Sequence, residues 1–141
     1  MTDPDVSLLA RAVDLAAENG AAGQLPFAAL VVRDGEVLGT GVNTALRDFD
    51  PSAHAEVAAV RNVCRDRKTL DLTGAEIYSS CEPCPMCRSV ATTAGIAVIW
   101  FAALGAELPD LLYPVQPPAT FAARHVRLGG AAEPFRRYLD R

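Results

Sequence analysis

Three cysteines, one histidine and one glutamate in the middle of the chain have the residue types and spacing of a reactive metal centre. Residues 80–87 read SCEPCPMC, which places Cys84 three residues before Cys87, while His54 and Glu56 lie upstream in the run DPSAHAE. Two thiolates and one imidazole suit zinc, and three protein ligands leave a fourth tetrahedral position for water. The pattern therefore predicts one Zn²⁺ per chain, held by His54, Cys84 and Cys87. Glu56 is the expected catalytic acid/base group.

Two helix starts must bring these groups together. We predict a helix from about Pro51-Ser52 to Cys64, on which His54 and Glu56 would point about 200° apart. Both can serve one ion only if it lies near the N-terminal end of that helix. A second helix begins at Pro85, which suits a first helical turn, so Cys84 and Cys87 share one side. Two helix N-termini would then favour thiolates at the ion.

A closed structural zinc site is the alternative. It would use Cys81 as a fourth ligand beside His54, Cys84 and Cys87. Cys81 lies on the strand side of Pro83 and would have to turn back, and Glu56 would then have no role. The remaining cysteine, Cys64, is expected to be a small buried apolar residue.

These motifs resemble those of a known enzyme family. His-x-Glu followed by Pro-Cys-x-x-Cys is the signature of zinc-dependent base deaminases. The runs HAE at 54–56 and CEPCPMC at 81–87 resemble the guanine deaminases of the cytidine deaminase-like superfamily, with the tRNA adenosine deaminases close behind. The resemblance covers roughly Leu8 to Ala103 and includes Pro26-Phe27 and Gly41-Val42-Asn43.

The resemblance implies a fold and a reaction. The expected fold is α/β, a three-layer α/β/α cytidine deaminase-like domain over residues 1–141. Residues from about 104 to 141 are expected to form a divergent lid and C-terminal segment. The expected reaction is hydrolytic deamination of a free nucleobase or related amino-heterocycle, with release of ammonia. A guanine-like purine is the first expectation, and an oxidised base, a cytosine-like pyrimidine and an amino-triazine stay open. The family also implies a homodimer.

Several residues are candidates for substrate contact. The pattern alone favours Asn43 as a turn residue that bonds its own backbone, whereas the resemblance implies that it binds substrate. Phe27 is either a core residue or the aromatic that lies against the base. Ala55, between His54 and Glu56, is a further contact implied by the resemblance.

Past Ala103 the resemblance weakens, so the residues that close the site are less well defined. Relatives carry an aspartate beyond the last core strand that helps to read the guanine edge, and Glu107 or Asp110 could substitute for it here. Tyr113 is the aromatic candidate nearest to this segment, with Phe135 and Tyr138 further on.

Periodicity and turn signals predict the remaining elements. Strands separated by helices imply a mixed sheet of about five strands with helices on both faces. A first helix should begin at Asp3-Pro4 and end near residues 18–19. The strands are expected at 27–32, 36–42, 76–80, 97–101 and 125–128, with a hairpin turn at Asp34-Gly35. Residues 108–119 should be irregular, and residues 131–139 a closing helix.

Composition restricts the class of partner. The chain has 141 residues and a formal net charge of −4, and Lys68 is its only lysine. Nucleic-acid binding usually needs a basic stripe, so nucleic acid is an unlikely partner and a tRNA adenosine deaminase is the weaker alternative. No apolar run reaches the length of a membrane span, and the acidic start argues against a secretory signal. We therefore expect a cytoplasmic protein whose cysteines are reduced. A non-catalytic zinc-stabilised interaction module is the other alternative.

Overall fold

The computed structural model describes residues 3–109 and 121–141. Its elements follow one another as α1 (Val6–Ala21), β1 (Ala28–Arg33), β2 (Glu36–Val42), α2 (Ala45–Asp48), α3 (Ala55–Arg67), β3 (Glu76–Cys81), α4 (Pro85–Thr93), β4 (Ile99–Ala103), a 3₁₀ turn (Gly105–Glu107) and α5 (Glu133–Leu139).

The four strands form one mixed sheet in the order β2-β1-β3-β4. β1 runs antiparallel to both of its neighbours, whereas β3 and β4 are parallel and are joined through α4. Asp34 and Gly35 have positive φ angles of 51° and 78°, as a tight type I′ hairpin turn requires, so the predicted turn is confirmed. The parallel pair brings the end of β3 and the end of β4 to the same edge of the sheet.

Helices cover both faces of this sheet. The alternation along β1 turns Ala29 and Val31 towards a core shared with α3 and α4, and Leu30 and Val32 towards a second core. Ala12 on α1 packs in that second core, as does the ring of Tyr78 on β3. The predicted three-layer α/β/α arrangement is therefore confirmed.

Glycine at position 41 allows α3 to lie unusually close to β2. A Cβ placed on Gly41 would lie 2.2 Å from the Ala59 amide nitrogen and 2.6 Å from the Ala55 carbonyl oxygen. No side chain can occupy that space without displacing the backbone. Since α3 begins beside the predicted metal ligands, this contact fixes the height at which they stand over the sheet.

The structure corrects several predicted boundaries. α1 begins at Val6 instead of at Pro4, because Asp5 is the N-cap and its side chain accepts a hydrogen bond from the Ser7 amide. α3 begins at Ala55, not near Pro51-Ser52, because the Asp50 carboxylate binds the Ser52 amide and hydroxyl at 2.8 and 2.7 Å and holds a turn there. β4 lies two residues later than the strand predicted at 97–101. The short helix α2 was not predicted.

The predicted fifth strand at 125–128 is wrong. These residues are described and carry no strand, and Val126 and Leu128 are exposed, so the segment has no neighbouring strand to pair with. The closing helix is present as α5, but its residues also lie on the surface. Within residues 3–109 and 121–141 no helix is long and apolar enough to cross a membrane.

Gly41→Ala should lower the free energy of unfolding by at least about 2 kcal/mol, because a methyl group would overlap the α3 backbone. Urea denaturation measures the change. The matched control is Gly129→Ala, at a glycine where an added Cβ meets nothing within 4 Å. A Gly41→Ala protein as stable as this control would contradict the proposed close contact.

Candidate metal centre

Two of the predicted ligands occupy the N-cap positions of helices. His54 precedes α3 with extended backbone angles (φ −71°, ψ 158°), and Cys84 precedes α4 with φ −73° and ψ 168°. N-caps usually carry Ser, Thr, Asp or Asn, whose side chains bond the first turn. Neither His54 nor Cys84 makes a side-chain capping bond, so each side chain points elsewhere. Because His54 stands before the helix, its ring can approach the same side as Glu56 in the first turn.

The three predicted ligands converge on one point. Nδ1 of His54 lies 3.5 Å from Sγ of Cys84 and 3.5 Å from Sγ of Cys87, and the two sulfur atoms are 3.6 Å apart. Zn–S bonds of about 2.3 Å and a Zn–N bond of about 2.0 Å give a tetrahedral S···S edge of about 3.8 Å and an S···N edge of about 3.5 Å. The donor set and its spacing therefore fit one zinc ion. Among the described residues, His54, Cys84 and Cys87 form the group of side chains that could hold a metal ion, and Cys81 is not part of it.

The electrostatics of the cluster favour a thiolate. A hydrogen bond from the Cys87 thiol, and a second from His54, lower the pKa of Cys84 to about 4. Two helix N-termini meet here, and their partial positive charge also favours anionic sulfur. Because Cys81 lies outside the cluster of ligand atoms, the four-ligand structural alternative is not supported.

Glu56 lies in the first turn of α3, where only 7% of its surface is exposed. Burial raises the pKa of its carboxyl group, against hydrogen bonds from Cys87 and Ser79 that lower it. The Ser79 hydroxyl lies 3.0 Å from Oε1 of Glu56. A buried carboxyl group beside a metal cluster, with a pKa displaced towards neutrality, has the properties of a group that both accepts and donates protons.

Asn43 and Phe27 lie side by side at the ends of neighbouring strands. The Asn43 amide donates to the Phe27 carbonyl at 3.0 Å, and both side chains are buried. Oδ1 of Asn43 accepts from the Ala45 amide at 3.0 Å, which confirms the turn predicted from the pattern alone. With Oδ1 engaged in this turn, the side-chain NH₂ group is the part of Asn43 that can donate to a ligand.

The other predicted contacts are less favourably placed. Ala55 has no exposed surface, backbone included, so no part of it faces open space. Glu107 uses Oε1 to accept from the Leu104 amide at 3.2 Å and thus caps its own 3₁₀ turn. Glu107 and Phe27 line a cleft of about 460 Å³ between α1 and the ends of β3 and β4, which none of the metal ligands line. Asp110 and Tyr113 lie outside the described residues.

Sequence reasoning missed two residues that hold the site. The first is Ser79, which contacts Glu56. Its position two residues before Cys81, on the same face of a buried strand, was the signal in the sequence that could have identified it. Asn19, at the end of α1, donates through Nδ2 to the carbonyl of Leu25 at 2.8 Å and to that of Asn43 at 2.9 Å. It ties the loop before Phe27 to the loop that carries Asn43, and no pattern in the sequence indicated this.

The fold and the ligand set define a zinc-binding α/β/α domain. The family described as the cytidine and deoxycytidylate deaminase zinc-binding region matches residues 2–103, and the chain belongs to that family. Because zinc is characteristic of this region, the His/Cys/Cys cluster is the site for one zinc ion per chain.

Comparison with individual proteins gives two groups of relatives. The chain is 41% identical to guanine deaminase from Bacillus subtilis (strain 168) over 98 residues, which are 69% of this chain and 63% of that protein. It is 37% identical to a tRNA-specific adenosine deaminase from Aquifex aeolicus (strain VF5) over 82 residues, 58% of this chain and 54% of that protein. The chain thus spans less than two thirds of the length of these curated relatives.

Solved structures give the same picture. The crystal structure of Bacillus subtilis guanine deaminase superposes with a TM-score of 0.79 at 33% identity, over 98% of this chain and 95% of that one. The protein NE0047 in complex with 2,6-diaminopurine superposes with a TM-score of 0.65 at 27% identity, over 70% of this chain and 56% of that one.

Cys84→Ala should remove bound zinc, whereas Cys81→Ala should keep it, because only the first sulfur belongs to the ligand cluster. Zinc per chain, measured by elemental mass spectrometry on proteins purified in parallel, should fall from about one equivalent to near zero in Cys84→Ala alone. Loss of zinc in Cys81→Ala with retention in Cys84→Ala would reverse the assignment of the ligands.

Proposed function

We propose that this protein is a zinc-dependent aminohydrolase that deaminates a free nucleobase or a related amino-heterocycle and releases ammonia. The observation that carries the proposal is the buried Glu56 carboxyl group beside a three-ligand cluster of His54, Cys84 and Cys87. A purely structural zinc site has four protein ligands and needs no buried acid/base group. This arrangement also speaks against a non-catalytic zinc-stabilised module.

In this proposal each residue has a chemical task. Zinc held by these three side chains would activate water for attack on the ring carbon that carries the amino group. Glu56 accepts a proton from the attacking water and delivers it to the neighbouring ring nitrogen. It later transfers a proton to the departing ammonia, so that water and the amine become a carbonyl and ammonia.

The substrate is held by residues at the ends of β1 and β2. In this proposal the side-chain NH₂ group of Asn43 donates a hydrogen bond to the heterocycle, and Phe27 lies against its flat face. Ala55 is the third proposed contact. Glu107, Asp110 and Tyr113 are the proposed residues of the closing side, and Oε1 of Glu107 also caps the 3₁₀ turn.

A guanine-like purine is the substrate that we propose first. Support comes from the relatives: the 41% identical protein is a guanine deaminase, and the NE0047 protein was crystallised with a diaminopurine. The tRNA adenosine deaminases are the weaker alternative, because the chain has a net charge of −4. Its densest basic cluster lies at the end of α3, where Arg65 and Arg67 complement the helix dipole.

An ammonia-release screen tests the reaction and the role of Glu56 together. Guanine and other free bases, amino-triazines, nucleosides and adenosine-containing tRNA anticodon stems are offered to the zinc-loaded protein. Glu56→Gln and Glu56→Ala should bind the same zinc but lose turnover by about 10²–10⁴-fold, the usual contribution of a general acid/base group.

The matched control for this screen is Glu36→Gln, which makes the same change at an exposed site on β2. It should leave the rate unchanged. Ammonia release from no substrate by fully metallated protein would favour the interaction module, and release from tRNA alone would favour the editing alternative.

We also propose that the active form is a homodimer in the cytoplasm, with residues 1–141 as one catalytic domain. Support for the dimer lies in the C-terminal segment, where apolar residues that would normally be covered are largely exposed: Phe121, Val126, Leu128, Phe135, Tyr138 and Leu139. A second copy of the chain would cover them. The reduced state that Cys84 and Cys87 need in order to bind zinc supports the proposed location.

Light scattering coupled to size exclusion should give about twice the chain mass of 14.9 kDa. Phe135→Ser with Leu139→Ser, one turn apart on α5, should shift the protein towards the monomer, because apolar contact between copies is lost. The control pair is Phe49→Ser with Leu70→Ser, which removes side chains that are 94% and 90% exposed elsewhere. A monomeric wild-type protein, or an equal shift in both pairs, would contradict the proposal.

A further inference from the structure

The Ser79 hydroxyl group lies between the Glu56 carboxyl group and the backbone of its own strand. Ser79 is fully buried on β3. Its Oγ is 3.0 Å from Oε1 of Glu56 and 2.8 Å from the carbonyl oxygen of Cys81, and the Cys81 amide points towards it at 3.4 Å. Two acceptors therefore face one hydroxyl group that has a single proton.

This excess of acceptors has a definite consequence. When Glu56 is ionised, Ser79 can donate to Oε1. When Glu56 carries a proton, the carboxyl group can donate to the Ser79 oxygen, and the Ser79 proton can turn to the Cys81 carbonyl. In both states Oε1 of Glu56 keeps Ser79 as its partner, so this contact need not break when the proton comes or goes.

Zinc bound at the cluster would increase the dependence of Glu56 on Ser79. Cys87 would then be a thiolate without a proton to donate. In the metallated protein Ser79 remains as the side-chain donor to Glu56 among the contacts that the described residues provide. A carboxylate buried without a donor would lose both orientation and stabilisation.

We propose that Ser79 is a positioning residue: its hydroxyl group holds Glu56 in one orientation through both of the proton transfers. This inference rests on the proposed deaminase function. In the hydrogen bonds described above, the Ser79 hydroxyl group contacts neither a metal ligand nor a residue proposed to bind substrate. We therefore expect it to act through Glu56. Its removal should therefore lower kcat and leave KM and zinc content nearly unchanged.

The neighbouring serine on β3 is a matched control. Ser80 is also buried, but successive side chains of a strand point to opposite faces, and its Oγ accepts from the Ala28 amide at 3.1 Å. Ser79→Ala and Ser80→Ala thus delete the same hydroxyl group from adjacent buried positions, and only the first loses a contact with Glu56.

The experiment compares steady-state ammonia release and zinc content for these proteins. Ser79→Ala should lose about 10- to 100-fold in kcat with KM within about threefold of the wild type, the effect of removing a hydrogen bond to a charged group. Ser80→Ala should keep its kcat. Ser79→Thr keeps a hydroxyl group and should retain most of the wild-type rate. Ser79→Val, which is about as large as the threonine variant but has no hydroxyl group, should not.

Each outcome decides the inference. If Ser79→Ala does not fold, the comparison of the Thr and Val variants takes its place, since the two differ only in the hydroxyl group. Equal kcat values in Ser79→Ala and the wild type, equal losses in both alanine variants, or equal rates of Thr and Val would overturn the positioning role. Failure of the proposed function is distinguishable, because the metallated wild type would then release no ammonia from any substrate.

Discussion

The convergence of two helix starts on one cluster of ligand atoms is the constraint on which the rest of the structure depends. His54 and Cys84 stand where capping side chains normally satisfy the first helical turn, yet both side chains are directed at the cluster instead. The helices keep their positive N-terminal ends pointed at the sulfur atoms, so part of the charge of the thiolates is compensated by the backbone. The sheet and the packing of α3 and α4 on one face hold the two ends at that distance.

Close packing between a strand and a helix transmits this constraint. At Gly39 and Gly41 no side chain separates β2 from α3, so Val63 and the backbone near Ala59 can lie directly on the strand at those two positions. The start of α3 is then fixed relative to the end of β2, where Asn43 stands. Asn19 extends the same frame from the other face of the sheet, since it binds the Asn43 carbonyl from the end of α1. Metal ligands, acid/base group and the residues proposed to hold substrate are thereby positioned by backbone contacts more than by loops.

The core region and the C-terminal segment differ in how they are stabilised. Residues up to β4 contribute nearly all of the buried side chains, whereas residues 121–141 are exposed almost throughout. This division follows the sequence resemblance, which was strong up to Ala103 and weak beyond it. In the function proposed above, the metal site and Glu56 would define the reaction, and the closing residues would select the heterocycle.

Much of the site could be read from the sequence, because its information is local. Cys84 and Cys87 lie one helical turn apart after a proline, and the hairpin at Asp34-Gly35 depends on two residues that accept positive φ angles. The tertiary structure alone decided what depends on partners distant along the chain. Ser79 meets Glu56 from another element, and Asn19 at the end of α1 binds the Asn43 carbonyl. The segment at 125–128 does not join the sheet, and its apolar side chains stay exposed. Local pattern can specify which groups a chain carries, but hydrogen bonds between separate elements exist only once the layers have packed.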